Sequence, residues 1–478
     1  MPDSIDTLVR NARIVSPRGI VSGAIGIKGE KIAFIGSDEA LPEAKTVIDA
    51  EGRYVIPGVV EPHTHLGTNP FRTFEENMQV ETRAAASGGI TSIFTMMMSP
   101  GSTGRRPRGS PPVASYKEVF DEAREIIDSQ ASIDVGLNFG ILTDEQAREI
   151  PDYAAQCGVT AFKFFLSYTD PDLVTFVRGQ PFPGMPKFDD GTVYLGMENI
   201  AKVGGVAAIH AEGWEIARVR KKMLMDSGRT DLEAWADMSP GFVEAMAIAR
   251  MARLSQATGC RIYIVHVASR EAMEEVRRAK GEGVDIVGET CPHYLTIDVD
   301  APYPAALAKV STPVRGKEHW GPLWEGLGDG TFDCVGSDHV VNPLAGRKPD
   351  ANIWSIGMAF SECELALPLM LSEGVNRGRI SLERLVEVCC ENPARTFGVY
   401  PRKGIIQVGS DADLVILDME KAKKVRNEEL LHFSDFSIYE GMELKGWPVL
   451  TMLRGKVIVK DGQFQAEGRG QYLPTSGR

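Results

Sequence analysis

The sequence predicts an α/β chain: a (β/α)8 TIM-like barrel with a small β-sandwich domain built from both chain ends. Three observations carry that expectation. From Tyr54 onward, eight apolar stretches of strand length alternate with amphipathic helical stretches, the grammar of successive βα units. The segments on either side read as short strands separated by Gly and Pro, too small to build a core alone. A chain of 478 residues, 43% hydrophobic, has room for one large barrel and an accessory domain. The expected boundaries are 1–56 and 399–478 for the two parts of the small domain, and 57–398 for the barrel.

In chain order, Thr7–Val9, Ala12–Val15, Ala24–Ile27 and Lys31–Ile35 alternate or cluster in β fashion. The barrel strands are expected to end near His63/His65, Thr91–Met97, Asp134–Phe139, Ala161–Phe165, Val206–His210, Ile262–His266, Asp285–Glu289 and Phe332–Asp338. Their apolar runs suit parallel strands buried on both faces. Helical stretches fall at 77–87, 115–130, 241–257, 270–280 and 318–327, then at 357–373 and 382–390. Strand patterns return at Ala412–Asp418, Val449–Leu453 and Val457–Lys460, before a polar tail from Gly468 expected to order only against a partner.

Composition excludes several function classes. A net charge of −13, with no basic run beyond the Arg105–Arg108 loop cluster, argues against nucleic-acid partners. No apolar run approaches membrane-spanning length and the start has no secretory pattern, so no membrane partner is expected. Seven cysteines without CxxC spacing, most in apolar surroundings, suit a reducing compartment. The expectation is a soluble, cytoplasmic protein.

Chemistry concentrates at strand ends. In Pro57–His65, an apolar strand runs into His63 and His65, which share one face at i and i+2. That spacing alone suits a metal-ligand pair and two surface histidines about equally. Lys163 lies inside the fourth strand, His210 ends the fifth, His266 the sixth and Asp338 the eighth. Singly, a strand-end histidine is more often a packed core residue, and Asp338 is an ordinary cap. Together they place four of only eight histidines, an Asp and a buried Lys where barrel enzymes gather their catalytic groups. An ammonium at Lys163 beside two dications would be repelled or neutralised. Reaction of its amine with carbon dioxide gives an anionic carbamate whose two oxygens could bridge two metals.

Over essentially its whole length the sequence resembles the amidohydrolase superfamily, and within it the hydantoinase and dihydropyrimidinase group. The resemblance rests on Pro57–His65, Thr82–Gly89, Phe162–Tyr168, Gly336–His339, Asn392–Arg395, Gly409–Asp413 and Tyr439–Pro448. It implies one metal on His63, His65 and Asp338, a second on His210 and His266, and carboxylated Lys163 bridging both. Zinc is the usual metal, with a bridging hydroxide as nucleophile. Asp338 is implied as proton carrier and Tyr168 as oxyanion stabiliser, with Tyr168 and Ser311 binding substrate. The resemblance further implies a homotetramer or homodimer.

The remaining histidines divide differently. His293 ends the seventh strand and is a candidate for the pocket wall, not a ligand. His339 should point away from Asp338, while His319 and His432 read as surface or packing residues.

Three departures from the group's pattern stand out, the third of which bears on substrate. Glu61 stands where the group commonly has Asp, and Thr312 where it has Pro. The stretch Ile353–Glu364 lacks the Asn-Gly of the substrate loop, with Met358 near the substrate-binding Asn. A bulkier ring substituent or a non-standard cyclic amide follows from that apolar loop. The implied reaction is hydrolysis of a cyclic amide or imide C–N bond, opening a hydantoin or dihydropyrimidine ring to an N-carbamoyl amino acid. Allantoinase is a rival, because Cys291–Leu295 resembles that group too. Dihydroorotase is disfavoured by Gly67 in place of a carboxylate-binding Arg. A dihydropyrimidinase-like scaffold protein is the non-enzyme rival, and all six filled ligand positions stand against it.

Overall fold

The computed structural model describes residues 5–39, 41–66, 72–97, 115–167, 175–177, 180–182, 189–300, 305–342, 344, 352–465 and 469–478. Eight parallel strands form the barrel: Val59–Thr64, Ile90–Met97, Asp134–Gly140, Ala161–Phe165, Val206–His210, Arg261–Ile264, Ile286–Thr290 and Cys334–Val335. Each pairs with the next in sequence, and a parallel bridge between Thr64 and His339 closes the ring. Register sets which side chains share a level: Ala208 lies opposite Lys163 on one side and Tyr263 on the other. Below that level the barrel is filled by Val60, Phe94, Ala161 and Val206, with Val287 opposite Tyr263, a packed core rather than a pore.

Helices surround the ring where amphipathic pattern and capping chemistry coincide. Phe74–Ser87 starts at Thr73, whose side chain accepts from Glu76 N–H while Glu76 reaches back to the Thr73 backbone. Arg270–Gly281 starts at Ser269 and buries Ala272, Met273, Val276 and Ala279 along one face.

The small domain joins both chain ends, as expected, in one nine-stranded mixed sheet. Strand Tyr54–Pro57 links the halves: it runs parallel to Ile5–Ser16 and antiparallel to Leu414–Lys424. The two expected strands at 7–9 and 12–15 are one strand, interrupted by a bulge between Val9 and Ala12. The sheet curls until Ile32 exchanges backbone hydrogen bonds with residues 409 and 410, enclosing Val9, Ile14, Ile25, Val55 and Leu414.

A buried lysine fastens this sheet to the barrel floor. Lys403 Nζ lies 2.6 Å from Asp134 Oδ2, 2.6 Å from Asp413 Oδ2 and 3.0 Å from Asp411 Oδ2. Asp134 opens the third barrel strand, so this hub sits at the end opposite the strand-end histidines.

The tail expected to need a partner is instead docked on its own chain. Residues 469–478 cross the barrel floor, with Leu473 N–H donating to Val135 O at 2.9 Å and Arg478 N–H to Gly204 O at 3.0 Å. Leu473 is fully buried against the barrel interior, so the stretch supplies core as well as backbone pairing.

Candidate metal centre

Five strands deliver six polar side chains to the C-terminal end of the ring. His63 Nε2 and His65 Nε2 lie 3.4 and 2.9 Å from Asp338 Oδ1. One donor atom from each of these three residues falls within 4.8 Å of the other two. Lys163 Nζ approaches His63 Nε2 to 3.4 Å. On the other side, the His210 and His266 rings stand 4.4 Å apart, and His266 stacks 5.4 Å from His63. The residues separated by up to 275 positions in sequence thus form one cluster, all buried except His65, which is half-buried.

Backbone conformation aims two of them. His266 (φ 43°) and Asp338 (φ 50°) occupy the left-handed region just beyond their strands. Non-glycine residues there cost on the order of 1–3 kcal/mol, a strain that concentrates at functional sites.

Burial sets the protonation states. It lowers His65 to about 4, against the opposing pull of Asp338. It lowers His210 and takes His266 well below its usual value, leaving neutral imidazoles, the form that binds metal. Burial would raise Asp338, but the surrounding imidazoles outweigh it and hold this carboxyl well below the usual range. Lys163 is pushed down to about 8 by burial, although Asp338 and Glu289 oppose the shift. The ammonium still predominates near neutral pH, but a much larger share of the amine is neutral than in an exposed lysine.

Imidazoles with a carboxylate form the donor chemistry of zinc-like ions, and the three-atom cluster is compact enough for one. A second ion at the His210/His266 pair requires another anionic donor, and a lysine ammonium does not fit that place. A carbamate on Lys163 would supply that donor.

The carboxylates behind these candidate ligands carry less obvious sequence signals. Glu289 Oε1 is 2.8 Å from His63 Nδ1 and accepts the His266 N–H at 2.8 Å, while Oε2 accepts from the Tyr263 hydroxyl. An added Cβ at Gly336 would come within 2.4 Å of Glu289 Oε2, so the eighth strand needs glycine there. Glu61 accepts the backbone N–H groups of His63 and Ser337 at 2.9 and 3.0 Å, and burial raises its carboxyl to about 8. Glu212 Oε2 lies 3.1 Å from His210 Nε2 and accepts from Ser311 Oγ at 3.0 Å. Burial pushes the Glu212 carboxyl up, but His210, Ser239 and Ser311 together bring it below its ordinary value. The available signals were a carboxylate closing the seventh strand and the His-Ala-Glu spacing at 210–212.

Among the other expected residues, Tyr168 lies outside the described residues. Ser311 is half-buried near the His210 side of the cluster. His293 is wholly buried, with Nδ1 3.0 Å from Glu362 Oε2 and its ring beside Tyr294 and Phe360. His339 turns away from the centre, as expected. Its Nδ1 accepts the N–H groups of Glu362 and Cys363, and Nε2 lies 2.9 Å from Glu81. The Met358 loop is tied down by Lys309, whose Nζ donates to Ile353 O and Ile356 O at 2.6 and 2.8 Å.

A family profile described as the amidohydrolase family matches residues 305–458. The chain is 35% identical to an L-hydantoinase of Paenarthrobacter aurescens, covering 98% of each protein. It is 35% identical to a D-hydantoinase of Ralstonia pickettii over 99% of this chain and 98% of that one. An allantoinase of Solibacter usitatus is 33% identical over 98% and 96%. The solved structure of L-hydantoinase (dihydropyrimidinase) from Arthrobacter aurescens superposes with a TM-score of 0.88 at 34% identity, covering 98% of this chain and all of that one.

Proposed function

The chain belongs to the amidohydrolase family, in the group of the hydantoinases, and on that premise we propose that it opens a hydantoin or dihydropyrimidine ring to an N-carbamoyl amino acid. It is a hydrolase of cyclic amides. The observation that carries the reading is the convergence of His63, His65, Lys163, His210, His266 and Asp338 from five strands onto one end of the ring. The catalytic unit in this reading is the barrel of residues 57–398.

His63, His65 and Asp338 would hold one divalent ion, His210 and His266 a second, with zinc the first candidate. Bound there, the pair supplies Lewis acidity and a water acidified to near neutral pH. Lys163 would join them as a carbamate: its neutral amine would add carbon dioxide and lose a proton, supplying an anionic oxygen donor in place of a repelled cation. With Nε2 of His210 on Glu212, that ring would ligate through Nδ1.

Asp338, ionised and adjacent to His65, accepts the proton of the attacking water and returns it to the leaving ring nitrogen. Tyr168 takes the oxyanion role on the strength of its place after Lys163 in sequence, and Ser311 holds the ring amide. His293 forms part of the pocket wall.

The same reading carries a cytoplasmic homotetramer or homodimer. Seven free, buried cysteines suit a reducing compartment. Exposed Val219, Met223, Phe242 and Met246 on helices Trp214–Asp226 and Gly241–Thr258 suit self-association. No helix among the described residues is long and apolar enough to cross a membrane.

The test is ring opening by zinc-loaded protein across hydantoin, 5-aryl and 5-alkyl hydantoins, dihydrouracil, allantoin, dihydroorotate and cyclic imides. Turnover of a hydantoin or dihydrouracil, lost to background in His63→Ala and Lys163→Ala, is expected. Turnover of allantoin alone would shift the assignment to the allantoinase reading favoured by the 33% identical relative. Two bound metals with no ring opened would sink the substrate assignment.

A further inference from the structure

Ser311 and His210, proposed above as substrate anchor and ligand of the second metal, share one carboxylate oxygen. Glu212 Oε2 lies 3.1 Å from His210 Nε2 and 3.0 Å from Ser311 Oγ, and the side chain is buried. Ser311 comes from a separate segment, 99 positions along the chain, so this contact joins two independent walls of the site. The neighbouring carboxylate, Glu244, is committed elsewhere: Ala268 N–H and Ser269 Oγ donate to it at 2.9 and 2.7 Å, and Arg315 pairs with it at 3.3 Å.

We propose that Glu212 is a positioning residue that couples the second metal's ligand to the substrate anchor. An acceptor on Nε2 fixes the His210 ring with its proton there and leaves Nδ1 as the basic nitrogen. The same oxygen takes the Ser311 proton, which turns the hydroxyl's lone pairs to the substrate. Ser311 then acts as an acceptor, and the ring must bring an N–H to it. Metal retention at the His210 side and substrate affinity therefore depend on one group. This inference rests on the proposed two-metal centre.

The experiment compares parent, Ser311→Ala, Glu212→Gln and Glu212→Asp by zinc titration of stripped protein, metal count per chain, and kcat and KM on hydantoin or dihydrouracil. The parent and Ser311→Ala should hold two zinc ions with equal affinities, Ser311→Ala raising only KM. Glu212→Gln should bind the first zinc as the parent does, bind the second about 10–100-fold more weakly, and show a raised KM at saturating zinc. Glu212→Asp keeps the charge but withdraws it by one methylene; it should show both losses in smaller measure, and it carries the test if Glu212→Gln does not fold. Parent-like second-zinc affinity and KM in a folded Glu212 variant overturns the coupling. A parent that binds fewer than two zinc ions overturns the two-metal reading, and the coupling with it.

Discussion

Glu289 shows how much a single side chain can fix. Two oxygens receive three donors: the His63 ring, the His266 backbone and the Tyr263 hydroxyl. One carboxylate thus orients a ligand in each half of the proposed centre, His63 by its tautomer and His266 through the left-handed backbone that carries it. In Glu289→Gln one acceptor becomes a donor and the three donors can no longer all be met. Zinc retention at the His63/His65/Asp338 side should fall by about 10–100-fold with the fold intact, as read by chelator competition and circular dichroism. The six clustered side chains were legible in the sequence because each ends or lies in an apolar strand. The carboxylates behind them were not, because a buried Glu has no periodicity of its own and its partners are distant in the chain. Glu289 meets His63 across 226 positions.

At the level of elements, the strand and helix pattern was legible almost throughout, since both periods follow from which face is buried. Helix Cys363–Leu369 was harder: it belongs to the stretch expected as one helix over 357–373, yet residues 357–362 are not helical. His339 Nδ1 takes the N–H groups of Glu362 and Cys363, fixing where the helix begins. Within it, Glu364 accepts Leu431 N–H at 2.8 Å, and burial raises its carboxyl to about 8. The folded chain therefore keeps this proton after the unfolded chain has lost it, so stability falls as pH rises from about 4.5 to 8. Glu364→Gln removes that dependence. Thermal melts should show the variant matching the parent at pH 5 and exceeding it by about 2 °C or more at pH 8.5; equal melting at both pH values would refute the assignment.

On the scale of the whole molecule, the barrel and the small sheet are held together at the floor, far from the chemistry. Lys403 neutralises a group of three carboxylates that Arg454 also meets at Asp134. Removing the cation in Lys403→Met leaves uncompensated buried charge and should cost about 3–5 kcal/mol, read as a lowered denaturation midpoint. Zinc content per folded chain should be unchanged. The strand pattern at both chain ends allowed the shared small domain to be expected, but neither this hub nor the docking of residues 469–478 has a local signature. Gly470, Leu473 and Thr475 pair with backbone at Ala131, Val135 and Gly158, contacts more than 300 positions apart. That stretch has a consequence for synthesis. While a ribosome still holds it, Leu473 is missing from the packed interior and the third strand lacks its neighbour beneath. The ring can be threaded in order as the chain emerges, but its floor closes only once residues 469–478 have left the ribosome, well after the eighth strand has been made.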